Sequence, residues 1–67
     1  MITVYVNGAV RQLADTCSIA ALIEELGYTG RRIALEINGE IVPRSLYAER
    51  VLNDGDKLEI VVAVGGG

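Results

Sequence analysis

Apolar and polar positions alternate along several stretches of this chain, and a period of two residues predicts strands with one buried face. The first stretch starts at Ile2, the next covers Ile33–Ile37, and the last, Lys57–Val64, ends in an unbroken apolar run. A brief strand is expected at Glu40–Val42, before Pro43. The pattern therefore predicts strands near both ends of the chain and in its middle.

A hairpin is predicted directly after the first strand, because Asn7 and Gly8 form the strongest short-range hairpin signal. A type I′ turn needs positive φ at both central positions, which asparagine and glycine tolerate. Residues 9–14 should then return antiparallel to the first strand. Val10 and Leu13 fall on opposite faces of a regular strand, and a bulge is one way to turn both inward.

An amphipathic helix is predicted after Ser18, which is a suitable N-cap. One apolar stripe follows at helical spacing: Ile19, Leu22, Ile23 and Leu26. Gly27 is placed to end the helix as a left-handed C′ residue. About nine residues are too few for a stable isolated helix in water, so the stripe must pack on the sheet.

The segment before the last strand carries weaker signals. Residues 44–52 have a weak helical or 3₁₀ pattern, and Asn53–Asp56 form a polar turn. The order strand, strand, helix, strand, strand, short helix, strand predicts an α+β fold, a mixed sheet of about four to five strands with one main helix packed on one face. This order resembles the β-grasp (ubiquitin-like) architecture, which implies that the first and last strands run parallel, side by side in the middle of the sheet.

Alternation also predicts which residues of the last strand face the helix: Leu58, Ile60, Val62 and Val64. The opposite, outer face should carry Tyr5, Ala34, Glu59, Val61 and Ala63. An apolar patch that the main helix leaves uncovered usually marks a contact with a partner.

Composition narrows the function. With 67 residues there is room for one small domain, and 51% apolar residues is rich enough for it to fold alone. The single cysteine, Cys17, excludes an internal disulfide, and without histidine no zinc site is expected. The net charge of −3 argues against nucleic acid and favours a basic protein partner. No apolar run approaches the roughly 20 residues that span a bilayer, so we expect no membrane-spanning segment. We also expect a cytoplasmic location, with which an unpaired cysteine is compatible, and a monomer when the chain is free.

No catalytic arrangement stands out, because histidine is absent and no serine or cysteine has an obvious base beside it. Cys17 lies near the helix start, where a lowered pKa would make it a nucleophile, but a small packed hydrophobe is the favoured interpretation. Arg31–Arg32 is favoured as a solvated loop over a docking site. Asp54, Asp56 and Glu59 are favoured as part of a turn over a cation site. We therefore expect a protein that is no independent enzyme and binds no metal or cofactor of its own.

The chain ends in three glycines, Gly65, Gly66 and Gly67, directly after the last strand. We expect residues 1–64 to form the domain and residues 65–67 to be a flexible glycine tail. Fully extended, the tail reaches roughly 10 Å and carries no side chain that would block a narrow channel. Its carboxylate is ionised at neutral pH and does not acylate by itself, so another protein must activate it. A frayed terminus is the simpler alternative.

Several stretches resemble the ThiS family, the sulfur carriers of thiamine thiazole biosynthesis. They are Glu40–Arg44 after Asn38, then Gly55–Val61, and Ala63–Gly66 at the carboxyl end. The resemblance runs the length of the chain, and the Glu-Ile-Val-Pro-Arg stretch and the diglycine ending are its more specific parts. The family hallmark is two glycines and this chain has three, so removal of one residue would move the reactive carboxylate from Gly67 to Gly66.

The resemblance implies a carrier that other proteins modify at its carboxyl end. A ThiF-like enzyme would adenylate Gly67 with ATP, and sulfur from a cysteine desulfurase or a rhodanese-like protein would replace AMP. The resulting thiocarboxylate would donate sulfur to a ThiG-like thiazole synthase. ATP is then used by the activating partner rather than bound by this chain. The expected docking surface is the outer face and the strand edge near the tail, with the contact residues Tyr5, Glu59, Val61, Ala63 and Val64.

Three other functions fit parts of the same pattern. The small subunit of molybdopterin synthase resembles this chain in fold and tail chemistry, but it is typically longer and has a more proline-bearing approach to its diglycine. A β-grasp interaction module would use the outer apolar patch alone. A ubiquitin-like modifier would be activated in the same way and transferred to a lysine amine.

Overall fold

The computed structural model describes residues 1–63, so Val64, expected in the last strand, and residues 65–67, expected as a tail, lie outside the described residues. The elements follow in the order β1 (Ile2–Val6), β2 (Ala9–Leu13), α1 (Ile19–Glu25), β3 (Ile33–Ile37), β4 (Glu40–Ile41), a 3₁₀ turn (Arg44–Leu46) and β5 (Lys57–Val62). This is the predicted order of elements. Strand β4 ends at Ile41 instead of Val42.

The strands form one mixed sheet in the order β2, β1, β5, β3, β4. Strands β1 and β5 run parallel, whereas β2 pairs with β1, and β3 pairs with both β5 and β4, in antiparallel ladders. The predicted placement of the first and last strands side by side is confirmed. Strand β5 therefore lies inside the sheet, between β1 and β3, and extends past the last residue of β1.

The β1–β2 hairpin turns at Asn7 and Gly8, whose φ angles of 50° and 86° match the predicted type I′ turn. The ladder is unbroken over five residue pairs, so the bulge considered from the sequence is absent from this hairpin. A two-residue turn fixes the register, and with a period of two only one of Val10 and Leu13 can face inward. Leu13 is buried, and Val10 lies exposed on the outer face opposite Tyr5.

Helix α1 begins where the sequence predicts, because the Ser18 Oγ accepts a hydrogen bond from the Ala21 N–H at 3.1 Å. At the other end Gly27 has a φ of 81°, and the Tyr28 N–H donates to the Ile23 carbonyl at 3.0 Å, as in a Schellman motif. Each end of the helix thus has a cap formed by neighbouring residues. With seven residues α1 is short, and no helix among the described residues is long and apolar enough to cross a membrane.

The segment between the 3₁₀ turn and β5 closes the core beside the helix. The carbonyls of Tyr47 and Arg50 accept hydrogen bonds from the first N–H groups of α1, at Ala20 (2.9 Å) and Ile19 (3.0 Å). The side chains of Tyr47 and Leu52 are buried. The weak helical signal of this segment corresponds to the 3₁₀ turn, and the coil after it satisfies helix donors that would otherwise have no partner.

The core lies between α1 and the inner face of the sheet. Its fully buried side chains come from the helix, the strands and the closing segment: Val4, Ile19, Leu22, Leu35, Ile37, Leu52 and Leu58. Removing such side chains from water stabilises the fold by about 25 cal/mol per Å² of apolar surface. The helix therefore covers one face of the sheet and leaves the other face to solvent.

Candidate functional site

The outer face of the sheet, which α1 does not cover, is the candidate functional surface. Along β5, Leu58 and Ile60 are buried, whereas Glu59 and Val61 are exposed, Val61 to 64%. Ala63, directly after the strand, is also exposed. The predicted alternation of faces is confirmed from Leu58 to Val61, and Val62, predicted to face the helix, is half-buried.

Two apolar cross-strand pairs lie on the outer face. Tyr5 is 37% exposed and stands opposite Val10, and Val61 stands opposite Ala34. Val10 and Ile41 are exposed to 63% and 77%, and neither was predicted on this face. A regular register after the Asn-Gly turn would have placed Val10 correctly. Ile41 belongs to a strand of two residues, whose pairing no sequence pattern indicates.

Charged residues lie between these apolar pairs, Lys57 and Glu59 on β5 and Glu36 on β3. Glu59 stands directly opposite Glu36 in the ladder with β3, and Lys57 stands opposite Tyr5 in the ladder with β1. Like charges directly opposite each other are unfavourable. The pair of glutamates therefore costs some stability and places negative charge in the middle of the predicted docking surface.

Hydrogen bonds on both sides hold the carboxyl end of β5. On the β3 side the Ala63 N–H donates to the Arg32 carbonyl at 2.9 Å. On the β1 side the Asn7 Oδ1 accepts from the Ile60 N–H at 2.8 Å, and the Asn7 Nδ2 donates to the Ile60 carbonyl at 3.1 Å. Sequence reasoning assigned Asn7 to a turn only, because nothing local indicates a bond to a residue 53 positions away.

Gly67, predicted to carry the reactive carboxylate, and the predicted tail residues Gly65 and Gly66 lie outside the described residues, as does the predicted contact residue Val64. The other predicted contact residues share one face of the sheet: Tyr5, Glu59, Val61 and Ala63. The structure thus brings these side chains to the surface that leads to residue 63.

Two exposed arginines lie beside the end of β5. Arg32 accepts the hydrogen bond from Ala63 through its carbonyl, and the Arg31 carbonyl accepts a bond from the Arg44 Nη2 at 3.0 Å. Both side chains are exposed, as the solvated-loop interpretation predicts. The structure adds that this loop adjoins the last described residue.

The acidic residues before β5 serve the turn, as predicted. Asp56 is 9% exposed, and its carboxylate accepts hydrogen bonds from the Asn53 N–H at 2.8 Å and the Asn38 Nδ2 at 3.1 Å. The Asp54 carboxylate accepts from the Thr3 N–H at 2.7 Å. Across the described part of the chain, no group of three or more His, Cys, Asp or Glu side chains is arranged to hold a metal ion.

Cys17 is half-buried just before α1. Its Sγ lies 3.4 Å from the Ser18 carbonyl oxygen, and the side chain packs against the core. Burial, and then the negative charge of Glu25, raise the pKa of the Cys17 thiol above its usual value. The packing of Cys17 against the core agrees with the packed-hydrophobe interpretation, and the raised pKa argues against a role as a nucleophile.

Known proteins resemble this chain over nearly its whole length. A model of the ThiS family matches residues 4–67. The sulfur carrier protein ThiS of Escherichia coli K12 is 33% identical over 91% of this chain and 92% of its own length. The crystal structure of the thiamine biosynthesis protein ThiS from Geobacter metallireducens matches with a TM-score of 0.81 at 26% identity, covering 98% of this chain and 100% of that one. The resemblance and the fold predicted from the sequence are confirmed.

One relative is much longer. A thiazole synthase of Paramagnetospirillum magneticum is 50% identical over 92% of this chain. This chain spans 19% of the length of that protein, so the similarity concerns one part of it.

Proposed function

This chain belongs to the ThiS family, and on that premise we propose that Gly67 is the residue through which it carries sulfur. The chain is a sulfur carrier protein of thiamine biosynthesis with a ubiquitin-like β-grasp fold. The observation that supports Gly67 is the extent of the family match, which runs through residue 67 and so includes all three terminal glycines.

The proposed chemistry starts from a carboxylate that is a poor acylating agent. An adenylating enzyme transfers AMP from ATP to the Gly67 carboxylate and releases pyrophosphate, which converts the carboxylate to a mixed anhydride. The outer sulfur of a persulfide on the sulfur donor then attacks the carbonyl carbon and expels AMP, which gives an acyl disulfide. A second thiol of the donor breaks the S–S bond, so that the thiocarboxylate is released and a disulfide remains on the donor. The chain contains no histidine and the pKa of its Cys17 thiol is raised, so the acid and base groups come from the partners. In this scheme the chain is a co-substrate, and ATP is bound by the activating enzyme.

Three partners follow from that chemistry: a ThiF-like adenylating enzyme, a cysteine desulfurase or rhodanese-like sulfur donor, and a ThiG-like thiazole synthase. The 50% identical segment within a protein named thiazole synthase supports the last of them, since it places a carrier-like sequence and that name in one chain. The adenylating enzyme and the sulfur donor are proposed from the family resemblance. We assign the protein to the cytoplasm, where ATP is available to the activating enzyme.

We propose that these partners dock on the outer face near the tail, through Tyr5, Glu59, Val61 and Ala63, and also contact Val64, which precedes the tail in the sequence. Its support is the exposure of apolar side chains that would be buried if this face had an internal cover, Val61 at 64% and Tyr5 at 37%. A carrier that is a monomer when free presents this face to one partner after another.

Intact-mass measurement of the chain purified from its own cells tests the proposed function. We expect a species heavier by the replacement of one oxygen with sulfur, located on the carboxyl-terminal peptide. Attachment to lysines of other proteins would instead identify a modifier, and an unmodified chain in thiamine-starved cells would favour an interaction module. A deletion strain that needs a molybdopterin product rather than thiamine would point to molybdopterin synthase.

Truncation identifies the reactive residue. A variant without Gly66 and Gly67 should keep its melting temperature and lose all ATP–pyrophosphate exchange with the adenylating enzyme, because the acyl group to be adenylated no longer reaches the active site. A variant without Gly67 alone is the matched control, and activity in it would move the reactive carboxylate to Gly66. Adenylation of the doubly truncated chain would contradict the proposal.

A further inference from the structure

We propose that the edge of β5 at Val62, on the side that faces β1, pairs through its main chain with an extended segment of the enzyme that adenylates the chain. This inference rests on the proposed function and adds the mode of docking to it. The supporting observations are the ladder on each side of β5, the place where the β1 ladder stops, and the position of that place relative to the tail.

Strand β5 starts with partners on both sides. On the β1 side the Tyr5 N–H donates to the Asp56 carbonyl, and the Asn7 N–H donates to the Leu58 carbonyl, both at 2.9 Å. On the β3 side the pairing runs from the start of β5 to Val62. A central strand with two ladders has no main-chain groups available for a partner.

The β1 ladder ends at Asn7, where a side chain replaces the main chain. The φ of 50° at Asn7 turns the backbone away into the hairpin. Its side-chain amide then makes the next two hydrogen bonds in place of a peptide group, to the N–H and the carbonyl of Ile60. The amide thus satisfies Ile60 and ends the β1 ladder there.

Val62 is the next residue whose main-chain groups point to the β1 side. Peptide groups alternate in direction along a strand, and the groups of Val61 and Ala63 point to β3, where Ala63 bonds to Arg32. Beyond Asn7, no strand within residues 1–63 continues beside β5. The N–H and carbonyl of Val62 therefore lie along an open strand edge, which is a ready template for pairing with another chain.

The partner that pairs with this edge is inferred from the distance between Val62 and the Gly67 carboxylate. Val62 is five residues before Gly67, roughly 17 Å when extended, so an enzyme that encloses the Gly67 carboxylate also passes the Val62 edge. Addition of an extended segment to a sheet edge supplies main-chain hydrogen bonds, and side chains next to the edge supply specificity. Beside this edge, Val61 and Ala63 are exposed. A groove of about 280 Å³ lies nearer the start of β5 and is lined by Tyr5, Asn7, Gly8, Lys57, Leu58 and Glu59.

The first test is hydrogen–deuterium exchange of the Val62 amide in the full chain, alone and mixed with its adenylating enzyme. We expect the Val62 amide to exchange quickly in the chain alone and at least about tenfold more slowly in the complex. The Val61 amide, which bonds to Ala34, is the internal control and should be slow in both samples. ATP–pyrophosphate exchange is measured in the same mixture.

The second test uses Val62→Pro, which removes the edge N–H and places the proline ring on that edge. Proline is tolerated where the N–H faces solvent, and Val62→Ala is the matched control for the lost side chain. With the chain as the varied substrate, we expect Val62→Pro to have a KM at least about tenfold above that of Val62→Ala, with a similar kcat.

The outcomes separate the two proposals. Adenylation with an unprotected Val62 amide, or equal KM values for folded Val62→Pro and Val62→Ala, would overturn the edge proposal and leave the proposed function standing. Absence of adenylation would overturn both. A Val62 amide that is already protected from exchange in the chain alone would also overturn the edge proposal. If that protection increases with the concentration of the chain, a second copy of the chain occupies the edge. If Val62→Pro does not fold, the exchange experiment on the unaltered chain decides.

Discussion

The inner and outer faces of the sheet are built from alternate residues of the same strands, yet they meet different demands. On the inner face Leu58 and Ile60 are 2% and 5% exposed beneath the helix. On the outer face their neighbour Val61 is 64% exposed. The inner residues hold the fold together, whereas the outer ones are available for contact with other proteins.

This difference shows how so small a chain combines stability with recognition. A period of two lets one strand serve the core with every second residue and a partner with the others. A chain of 67 residues buries only about 60% of its unfolded surface, so it has little core to lose. Substitutions on the two faces should therefore separate loss of stability from loss of partner recognition.

The largest expected effect is on the inner face. Leu22 is 0% exposed, and Leu22→Ala should lower the free energy of unfolding by about 2–5 kcal/mol, because it removes contacts and leaves a cavity under the helix. At roughly 0.05–0.15 kcal/mol per residue, the free energy of unfolding of the whole domain is about 3–10 kcal/mol. Val61→Ala is the control and should lower the free energy of unfolding by less than about 1 kcal/mol. Urea unfolding measures both, and equal losses would break the comparison.

A smaller effect, on partner recognition, is expected for Val61→Asp. A carboxylate there must lose its water when a partner covers the outer face, so KM in ATP–pyrophosphate exchange should rise about tenfold, equivalent to ~1.4 kcal/mol. Val10→Asp is a matched control, since Val10 is 63% exposed on the same face but lies on β2, away from the end of β5. Equal changes in KM for the two variants would show that position on the face does not matter.

The smallest expected effect comes from the glutamates on the outer face. Glu36→Gln removes the like charge opposite Glu59 and should raise the free energy of unfolding by about 0.2–1 kcal/mol at low salt. The gain should shrink in high salt because exposed charges are screened. Glu40→Gln, at a position opposite Ile37, is the control and should change little. Thermal unfolding at two salt concentrations measures both, and a loss of stability in Glu36→Gln would refute this account of the pair.

The sequence predicted most of the fold through short-range signals. The turn at Asn7-Gly8 requires positive φ at both residues. Ser18 begins the helix and Gly27 ends it, through hydrogen bonds between residues within about one turn. The suggestion of a bulge near Val10 was wrong, because the two-residue turn already fixes a regular register.

The candidate site was predicted in part. Alternation correctly placed four of its residues on the outer face: Tyr5, Glu59, Val61 and Ala63. Their role in docking stays a prediction, as do the roles of Val64, Gly65, Gly66 and Gly67, which lie outside the described residues. The pairing of Asn7 with Ile60, which sets the end of the β1 ladder, had no signal in the sequence.

The sequence by itself determined the order of the elements, the two ends of the helix and which residues of each strand share a face. Those features depend on backbone sterics and on periodicity, which act between residues a few positions apart. Only the tertiary structure decided that Asn7 ends the ladder at Ile60, that Asn38 binds the Asp56 carboxylate, and that the carbonyls of residues 47 and 50 satisfy the start of the helix. These contacts join residues far apart in the chain, so they exist only when the whole sheet has assembled.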